Sequence, residues 1–138
     1  MKKMYIAVLD EAPDYMVPTL VAHTMISAHD QAAYNDTFKR NCPEEYEAYQ
    51  DWFKNSFRKV VLKVSRKEFD KIYTTLTCWE GHENTVCEGK RSCLVVLPVE
   101  SDNVPNVLKF AKMWKPSVPV KPEKPEVLKV VNEKVINR

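Results

Sequence analysis

Cysteine and histidine side chains are concentrated between residues 78 and 93. The spacing Cys78-x3-His82-x4-Cys87-x5-Cys93 contains only side chains of types that bind zinc. Structural zinc sites usually take their ligands in close pairs, and this segment holds no such pair. We therefore expect no metal and no cofactor, and we interpret these cysteines as small, partly buried strand residues that stay reduced.

Two other kinds of catalytic site are excluded because their motifs are missing. The chain has only 2 glycines and no Gly-rich phosphate-binding loop, which excludes a P-loop nucleotide triphosphatase. The Gly-x-Ser-x-Gly turn of serine hydrolases is missing as well. Histidines remain as candidates for acid–base chemistry. We interpret His29, beside Asp30, as an exposed helix residue. The alternative is that His29 and Asp30 both contribute to the same cleft as His23.

Composition and charge fit one domain without a strong electrostatic preference. The chain has 138 residues, 44% of them hydrophobic, and its formal net charge of +2 comes from 21 basic and 19 acidic residues. No global field attracts nucleic acid or anionic lipid, so a polyanion site would have to be a local patch. The apolar run at residues 4–9 is too short for a signal peptide or a membrane span. We expect a cytoplasmic protein without membrane association.

The first half of the chain predicts a strand and two helices. Residues 4–9 form a continuous apolar run, typical of a central strand that is buried on both faces. Pro18 suits a first helical turn, and the apolar residues after it recur at helical spacing, which predicts a helix over residues 17–33. Pro43 and the two acidic residues after it predict a second helix start.

An aromatic stripe follows on this second helix, formed by Tyr46, Tyr49, Phe53 and Phe57. Aromatic side chains at helical spacing are typical of a face that packs on the core. They are also the side chains on which nucleic acid bases stack. We interpret the stripe as a core-packing face, with the base-stacking platform as the alternative.

The second half of the chain predicts a strand–helix joint, a hairpin and a last helix. Residues 59–64 are β-branched and short, and the Ser65-x-x-Glu68 spacing after them predicts a capped helix. Two strand-like runs, at 85–87 and 93–97, flank a Gly-containing hairpin connection. Residues 101–103 offer a helix cap for an amphipathic helix that ends near residue 114.

These elements predict a single α/β domain at residues 1–115, with a mixed sheet of about four strands flanked by helices. Repeated prolines from Pro116 onward predict an extended, Pro-rich C-terminal tail at residues 116–138. We expect residues 116–126 to lack regular structure, and the domain to fold without anything beyond Lys115.

The order of elements resembles the archaeal and eukaryotic type of peptidyl-tRNA hydrolase, and three segments carry the resemblance. Residues 22–28, Ala-His-Thr-Met-Ile-Ser-Ala, with Gln31, are similar to the family's helix that carries a His. Residues 80–86 resemble its Asp-Ala-Gly-Arg-Thr segment. Residues 89–92, followed by 93–96, resemble its Gly-x-x-Thr turn into the last strand. The resemblance spans roughly residues 4–114.

This resemblance implies hydrolysis of the ester bond of peptidyl- or aminoacyl-tRNA. Such a reaction needs a base for an attacking water and donors for the developing oxyanion. His23 could be the base, Glu80 could orient it or the water, and Asn84 could supply a donor. The plainer alternatives are a His23 that satisfies a hydrogen bond at a helix start, and solvated hairpin residues at 80 and 84. A local patch drawn from Lys39, Arg40, Lys90 and Arg91 would hold the acceptor backbone.

Departures from the family pattern keep a second function open. The family's lysines and Gln before the His are matched here by Asp14, Met16 and Leu20, and its Arg by Glu83. The alternative is therefore a catalytically degenerate binding or regulatory module on the same fold, and whether the protein is an enzyme stays open. A tRNA or a protein is the expected partner, and a homodimer is an open alternative.

Overall fold

The structure is a computed structural model, and it describes residues 1–117. In this part of the chain, six strands form one mixed sheet, accompanied by five α-helices. The strands are β1 (Lys2–Leu9), β2 (Arg58–Val64), β3 (Cys78–Gly81), β4 (Cys93–Val96), β5 (Val99–Glu100) and β6 (Lys112–Met113). The helices are α1 (Val17–Ala33), α2 (Asp36–Asn41), α3 (Pro43–Asp51), α4 (Arg66–Thr75) and α5 (Asn106–Lys109). The predicted α/β class with a mixed sheet is confirmed, with six strands where about four were predicted.

The first strand lies in the middle of the sheet. The strand order is β3-β4-β1-β2-β6, and β5 pairs with β1 beyond the end of β4. β1 runs parallel to β2, with Ile6 opposite Val61, and antiparallel to β4, with Ile6 opposite Val95. Residues 4–9 are all buried, as the unbroken apolar run predicts for a strand with both faces covered.

Two hydrophobic cores cover the two faces of the sheet. On one face, Met4, Ile6 and Val8 pack with residues of α1 and α3. On the other, Ala7 and Leu9 pack with Phe69 and Ile72 of α4 and with Leu108 of α5. Side chains alternate along each strand, so neighbouring residues of a strand belong to opposite cores. This alternation decides which strand residues can meet α1 and which can meet α4.

The two helix starts with the clearest signals lie where they were predicted. α1 covers residues 17–33, with Pro18 in its first turn. At α4, Ser65 Oγ accepts from the Glu68 amide at 3.2 Å, and Glu68 Oε1 accepts from the Ser65 amide at 2.9 Å. This reciprocal capping box stabilises the N-terminus of α4 directly after β2.

Two predicted elements differ in the structure. β4 pairs antiparallel with β3 and not with the strand predicted at 85–87, because residues 85 and 86 lie in a turn and a 3-10 turn follows at Cys87–Gly89. Cys87 and Glu88 have positive φ angles there, a conformation that no strand adopts. The predicted last helix is reduced to α5, which begins after Pro105. The chain then pairs with β2 instead, and the Trp114 amide donates to the Val61 carbonyl at 2.9 Å.

The described chain ends next to the first loop. Residues 116 and 117 belong to no helix or strand, and the Ser117 amide donates to Asp14 Oδ2 at 2.6 Å. The rest of the predicted Pro-rich tail lies outside the described residues. No helix within residues 1–117 has both the length and the apolar character needed to cross a membrane.

Candidate functional site

His23 lies on α1, which packs near the edge of the sheet where β3 is the outermost strand. The buried stripe of α1 includes Leu20, Thr24 and Ala28, so position 23 points away from the core and the His23 side chain is 53% exposed. Its Nδ1 lies 3.8 Å from Glu83 Oε1, and its ring centroid lies 6.5 Å from that of His82. A half-exposed imidazole beside a carboxylate is an arrangement that can accept a proton and stabilise the resulting positive charge.

Gly81 allows this approach between the sheet and α1. A Cβ atom at position 81 would lie 1.9 Å from Thr24 Oγ1 and 2.8 Å from Thr24 Cβ. Thr24 is buried, and its hydroxyl donates to the Leu20 carbonyl at 2.7 Å. The absence of a side chain at Gly81 therefore brings the next residues, His82 and Glu83, against His23.

We expect Gly81→Ala to destabilise the domain by about 1–3 kcal/mol, because the added methyl overlaps Thr24. Urea unfolding measures the change. Thr24→Ala should recover part of this loss in the double variant, because it removes the nearest atom, Oγ1, but not Cβ. Gly89→Ala is the control: a Cβ there makes only ordinary contacts, the nearest with the Asn84 carbonyl oxygen at 3.8 Å, but φ is +74°, so Thr24→Ala should not rescue it. Equal rescue of both variants would contradict the overlap.

Glu80 lies on the other face of the sheet from His23. Its partner in β4 is Leu94, which packs in the α4 core, whereas its neighbour Gly81 faces α1. Glu80 Oε2 lies 3.4 Å from Arg91 Nε, and the Arg91 guanidinium lies over the Tyr73 ring at 3.9 Å. The structure thus pairs Glu80 with Arg91, and it contains no hydrogen bond or ion pair between Glu80 and His23 among the described residues.

A polar pocket of about 470 Å³ opens on this second face. It is lined by Arg66, Asp70, Glu80, His82, Gly89, Lys90 and Arg91. Each of its cations already has an acidic neighbour. Arg66 donates two bonds of 2.9 Å to Glu11, and Lys90 Nζ lies 3.7 Å from Glu88. His82 lines this pocket, and its ring also lies next to the ring of His23. It therefore lies between the polar pocket on one face of the sheet and His23 on the other.

Arg66 and Glu11, which form the bidentate ion pair at this pocket, change each other's pKa. The hydrogen bond from Arg66 lowers the pKa of the Glu11 carboxyl below its ordinary value, and the same bond raises the pKa of Arg66. Both side chains therefore stay charged at neutral pH. A phosphate that enters the pocket must compete with Glu11 for this guanidinium.

The other residues predicted for the site are separated from His23. Asn84 is exposed in the turn after β3, and its side chain makes no hydrogen bond within the described chain. Lys39 and Arg40 lie in the last turn of α2, and Lys39 Nζ sits over the Tyr46 ring at 5.3 Å. Of the four predicted cations, only Lys90 and Arg91 line the polar pocket.

The positions that match the family's cationic residues have other roles. Leu20 is fully buried in the core, and Met16 packs against the same core. Asp14 accepts from the Ser117 amide. None of these three positions offers a cation to a ligand.

The cysteines are free thiols, and burial makes three of them less reactive by raising the pKa of Cys78, Cys87 and Cys93. All four are unpaired, and burial raises the pKa of Cys78 and of Cys93 to about 11. A thiol with such a pKa stays protonated at neutral pH and is a poor nucleophile or metal ligand. Within residues 1–117, no three His, Cys, Asp or Glu side chains come together as a metal site.

Sequence reasoning missed the partner of His23. In the sequence, Glu83 stands out only as a charge reversal of the family's arginine, and His82 only as one of the side chains of a zinc-binding type. The close approach at Gly81 brings both residues to His23. The low glycine content of the chain, which makes each glycine notable, was the one sequence signal for this approach.

A scan against models of known protein families finds no match for this chain. A search of the curated proteins finds no match either.

Proposed function

We propose that this protein is a divergent peptidyl-tRNA hydrolase-like protein that hydrolyses the ester bond of peptidyl- or aminoacyl-tRNA. The observation that carries the proposal is the pairing of His23 with Glu83, on a helix whose sequence resembles that family's His-bearing helix. The polar pocket, with Lys90 and Arg91 among its lining residues, lies on the opposite face of the sheet, at the end of β3. Its place suits a phosphate next to the reacting ester.

In the proposed reaction, His23 Nε2 takes a proton from water as the oxygen attacks the ester carbonyl. Glu83 Oε1, 3.8 Å from Nδ1, is too far for a hydrogen bond, and its charge stabilises the imidazolium that forms. The tetrahedral intermediate then breaks its bond to the sugar oxygen, which takes the proton back from His23. Asn84 is the candidate donor to the oxyanion, because it follows Glu83 and its amide is free.

Substrate capture by this site should be weak. The matched positions 14, 16 and 20 supply no cation, and Glu11, Glu80 and Glu88 already neutralise the cations at the polar pocket. Each lost charge-assisted contact removes about 1.5–3 kcal/mol, so affinity falls by about tenfold or more. This feature favours the second candidate function, a binding or regulatory module without catalysis.

Two glutamine substitutions in the purified full chain test the proposal. Glu83→Gln should lower the hydrolysis rate at least about tenfold, because the imidazolium loses its carboxylate. Glu80→Gln, which has the same chemical change, should leave the rate at saturating substrate unchanged and lower KM, because it releases Arg91 for a phosphate. The readout is hydrolysis of peptidyl-tRNA at low salt.

The outcomes separate the two candidate functions. Salt-sensitive binding of peptidyl-tRNA without any hydrolysis by the unmodified protein would support the binding module. Hydrolysis that Glu80→Gln lowers more than Glu83→Gln does would contradict the assigned roles. Neither binding nor hydrolysis would refute both candidates.

A further inference from the structure

An aromatic pocket of about 460 Å³ lies between the second half of α1 and the end of α3. Its walls are largely the side chains of Ile26, Tyr34, Tyr49, Trp52, Phe53 and Phe57. Of these, Tyr49 and Trp52 are fully buried, while the others keep exposed surface at the mouth. A concave site with apolar walls and few polar groups is the usual form of a small-molecule pocket.

The backbone is strained where it presents Phe57 to this pocket. α3 continues into a π-helical turn at Trp52–Ser56, and the Phe57 amide donates to the Trp52 carbonyl at 2.6 Å. Phe57 then has φ 61° and ψ 13°, a left-handed conformation in which glycine is normally found. Its side chain stays 52% exposed, so packing in the core does not offset the strain. A bulky residue kept in such a conformation points to a role of its ring.

A buried hydroxyl indicates which ring nitrogen of His29 carries the proton. Tyr49 is fully buried, and its Oη lies 2.8 Å from His29 Nδ1, its sole partner within the described chain. Burial raises the pKa of Tyr49 to about 12, so the hydroxyl stays protonated at neutral pH. Because Nδ1 is the only partner of this buried hydroxyl among the described residues, its O–H donates a hydrogen bond to Nδ1. His29 then carries its own proton on Nε2. The His29 ring lies 4.8 Å from that of Phe53 and 5.4 Å from that of Tyr34.

Asp30, the next residue along α1, supplies an acceptor in the same pocket. It is exposed and forms no ion pair with any residue of the described chain. Neither lysine nor arginine belongs to the described lining. Lys59 Nζ does sit over the Phe57 ring at 3.2 Å, and it donates to the Phe57 carbonyl. The polar groups of the described lining that have no partner are therefore the Nε2 of His29, the Asp30 carboxylate and the Tyr34 hydroxyl.

We propose that this pocket binds an amino-substituted aromatic nitrogen heterocycle of the size of a purine base. Its ring stacks against the aromatic walls. A ring nitrogen accepts from His29 Nε2–H, and the neighbouring amino group donates to Asp30. The proposal does not depend on the hydrolysis assigned to His23, because none of the residues involved belongs to that site.

Titration of the full chain with 2-aminopurine riboside tests this, since stacking quenches the fluorescence of that base. We expect saturable quenching that Phe57→Gly weakens about tenfold, because one stacking ring is lost. Glycine suits the left-handed conformation, so this variant should keep its fold. Asp30→Asn should weaken binding about threefold, and purine riboside, which lacks the amino group, should compete poorly. Phe110→Ala, at an exposed aromatic outside the pocket, is the matched control.

Several results would overturn the proposal. These are no saturable binding, binding that Phe57→Gly leaves unchanged, and equal competition by purine riboside. Self-association that Phe57→Gly abolishes, without nucleoside binding, would assign the surface to a second copy of the chain. A trinucleotide that ends in 2-aminopurine distinguishes the source of the heterocycle. Tighter, salt-sensitive binding of it indicates an RNA end, and equal affinity indicates the free heterocycle.

Discussion

Replacing His23 by alanine should reduce ester hydrolysis by about 10²-fold or more, because loss of a general base removes a contribution of that order. The side chain is half exposed on α1, so the variant should unfold at the same urea concentration as the unmodified protein. Hydrolysis of peptidyl-tRNA by the two purified proteins at the same low salt concentration measures the effect.

Two further measurements distinguish loss of the base from indirect damage. Added imidazole should restore part of the activity of His23→Ala, since it can take the water proton from the space left by the ring. Cys87→Ser should hydrolyse at nearly the unmodified rate, because this thiol belongs to neither the His23 pair nor the polar pocket. An unaffected His23→Ala variant would remove the proposed base, and a family-level turnover rate in the unmodified protein would refute the weak-capture argument.

Trp52→Ala should destabilise the domain by about 3–5 kcal/mol, the range for truncation of a large buried aromatic side chain. Trp52 is fully buried, and its Nε1 donates to the Arg58 carbonyl at 2.7 Å. Its ring packs 5.3 Å from that of Tyr49 and 5.2 Å from that of Phe57. The truncation therefore leaves a cavity and removes the hydrogen bond to Arg58. Urea unfolding followed by circular dichroism measures the difference.

Trp52→Phe keeps the measurement interpretable if the alanine variant fails to fold. It retains most of the volume and loses the indole donor, so the expected loss is smaller, about 1–3 kcal/mol. Phe110→Ala, at a side chain that is 74% exposed, should change stability by no more than about 0.5 kcal/mol. A loss below 1 kcal/mol for Trp52→Ala would contradict its place in the core.

Trp52 also shows where sequence periodicity stops being informative. The stripe at 46, 49, 53 and 57 assumes regular α-helical geometry, and the structure buries Tyr49 but leaves Phe53 and Phe57 partly exposed. The extra residue of the π-helical turn ends the α-helical phase after Trp52. No local residue preference signals that turn. By contrast, the capping box at Ser65 and the apolar run at 4–9 were predictable, because local hydrogen bonding and complete burial decide them.

The candidate site was predictable only in part, for a related reason. His23 follows from its helix, but its partner depends on which face each residue of a four-residue strand presents. Glu80 and Gly81 are neighbours in sequence, yet one faces α4 and the other α1. A shift of one residue in the predicted strand exchanges the two faces. The resemblance pointed to Glu80, and the structure brings Glu83 to the histidine instead.

The central place of β1 affects how this protein can fold while it is being synthesised. β1 leaves the ribosome before the other five described strands, but its neighbours along residues 6–8 are β2, more than 50 positions later, and β4, about 90 positions later. Until both have emerged, a strand with a continuous apolar run at residues 4–9 lacks its sheet partners. Such long-range pairing slows folding and leaves the nascent chain open to aggregation. We therefore expect the growing chain to depend on chaperones until β4 has been made.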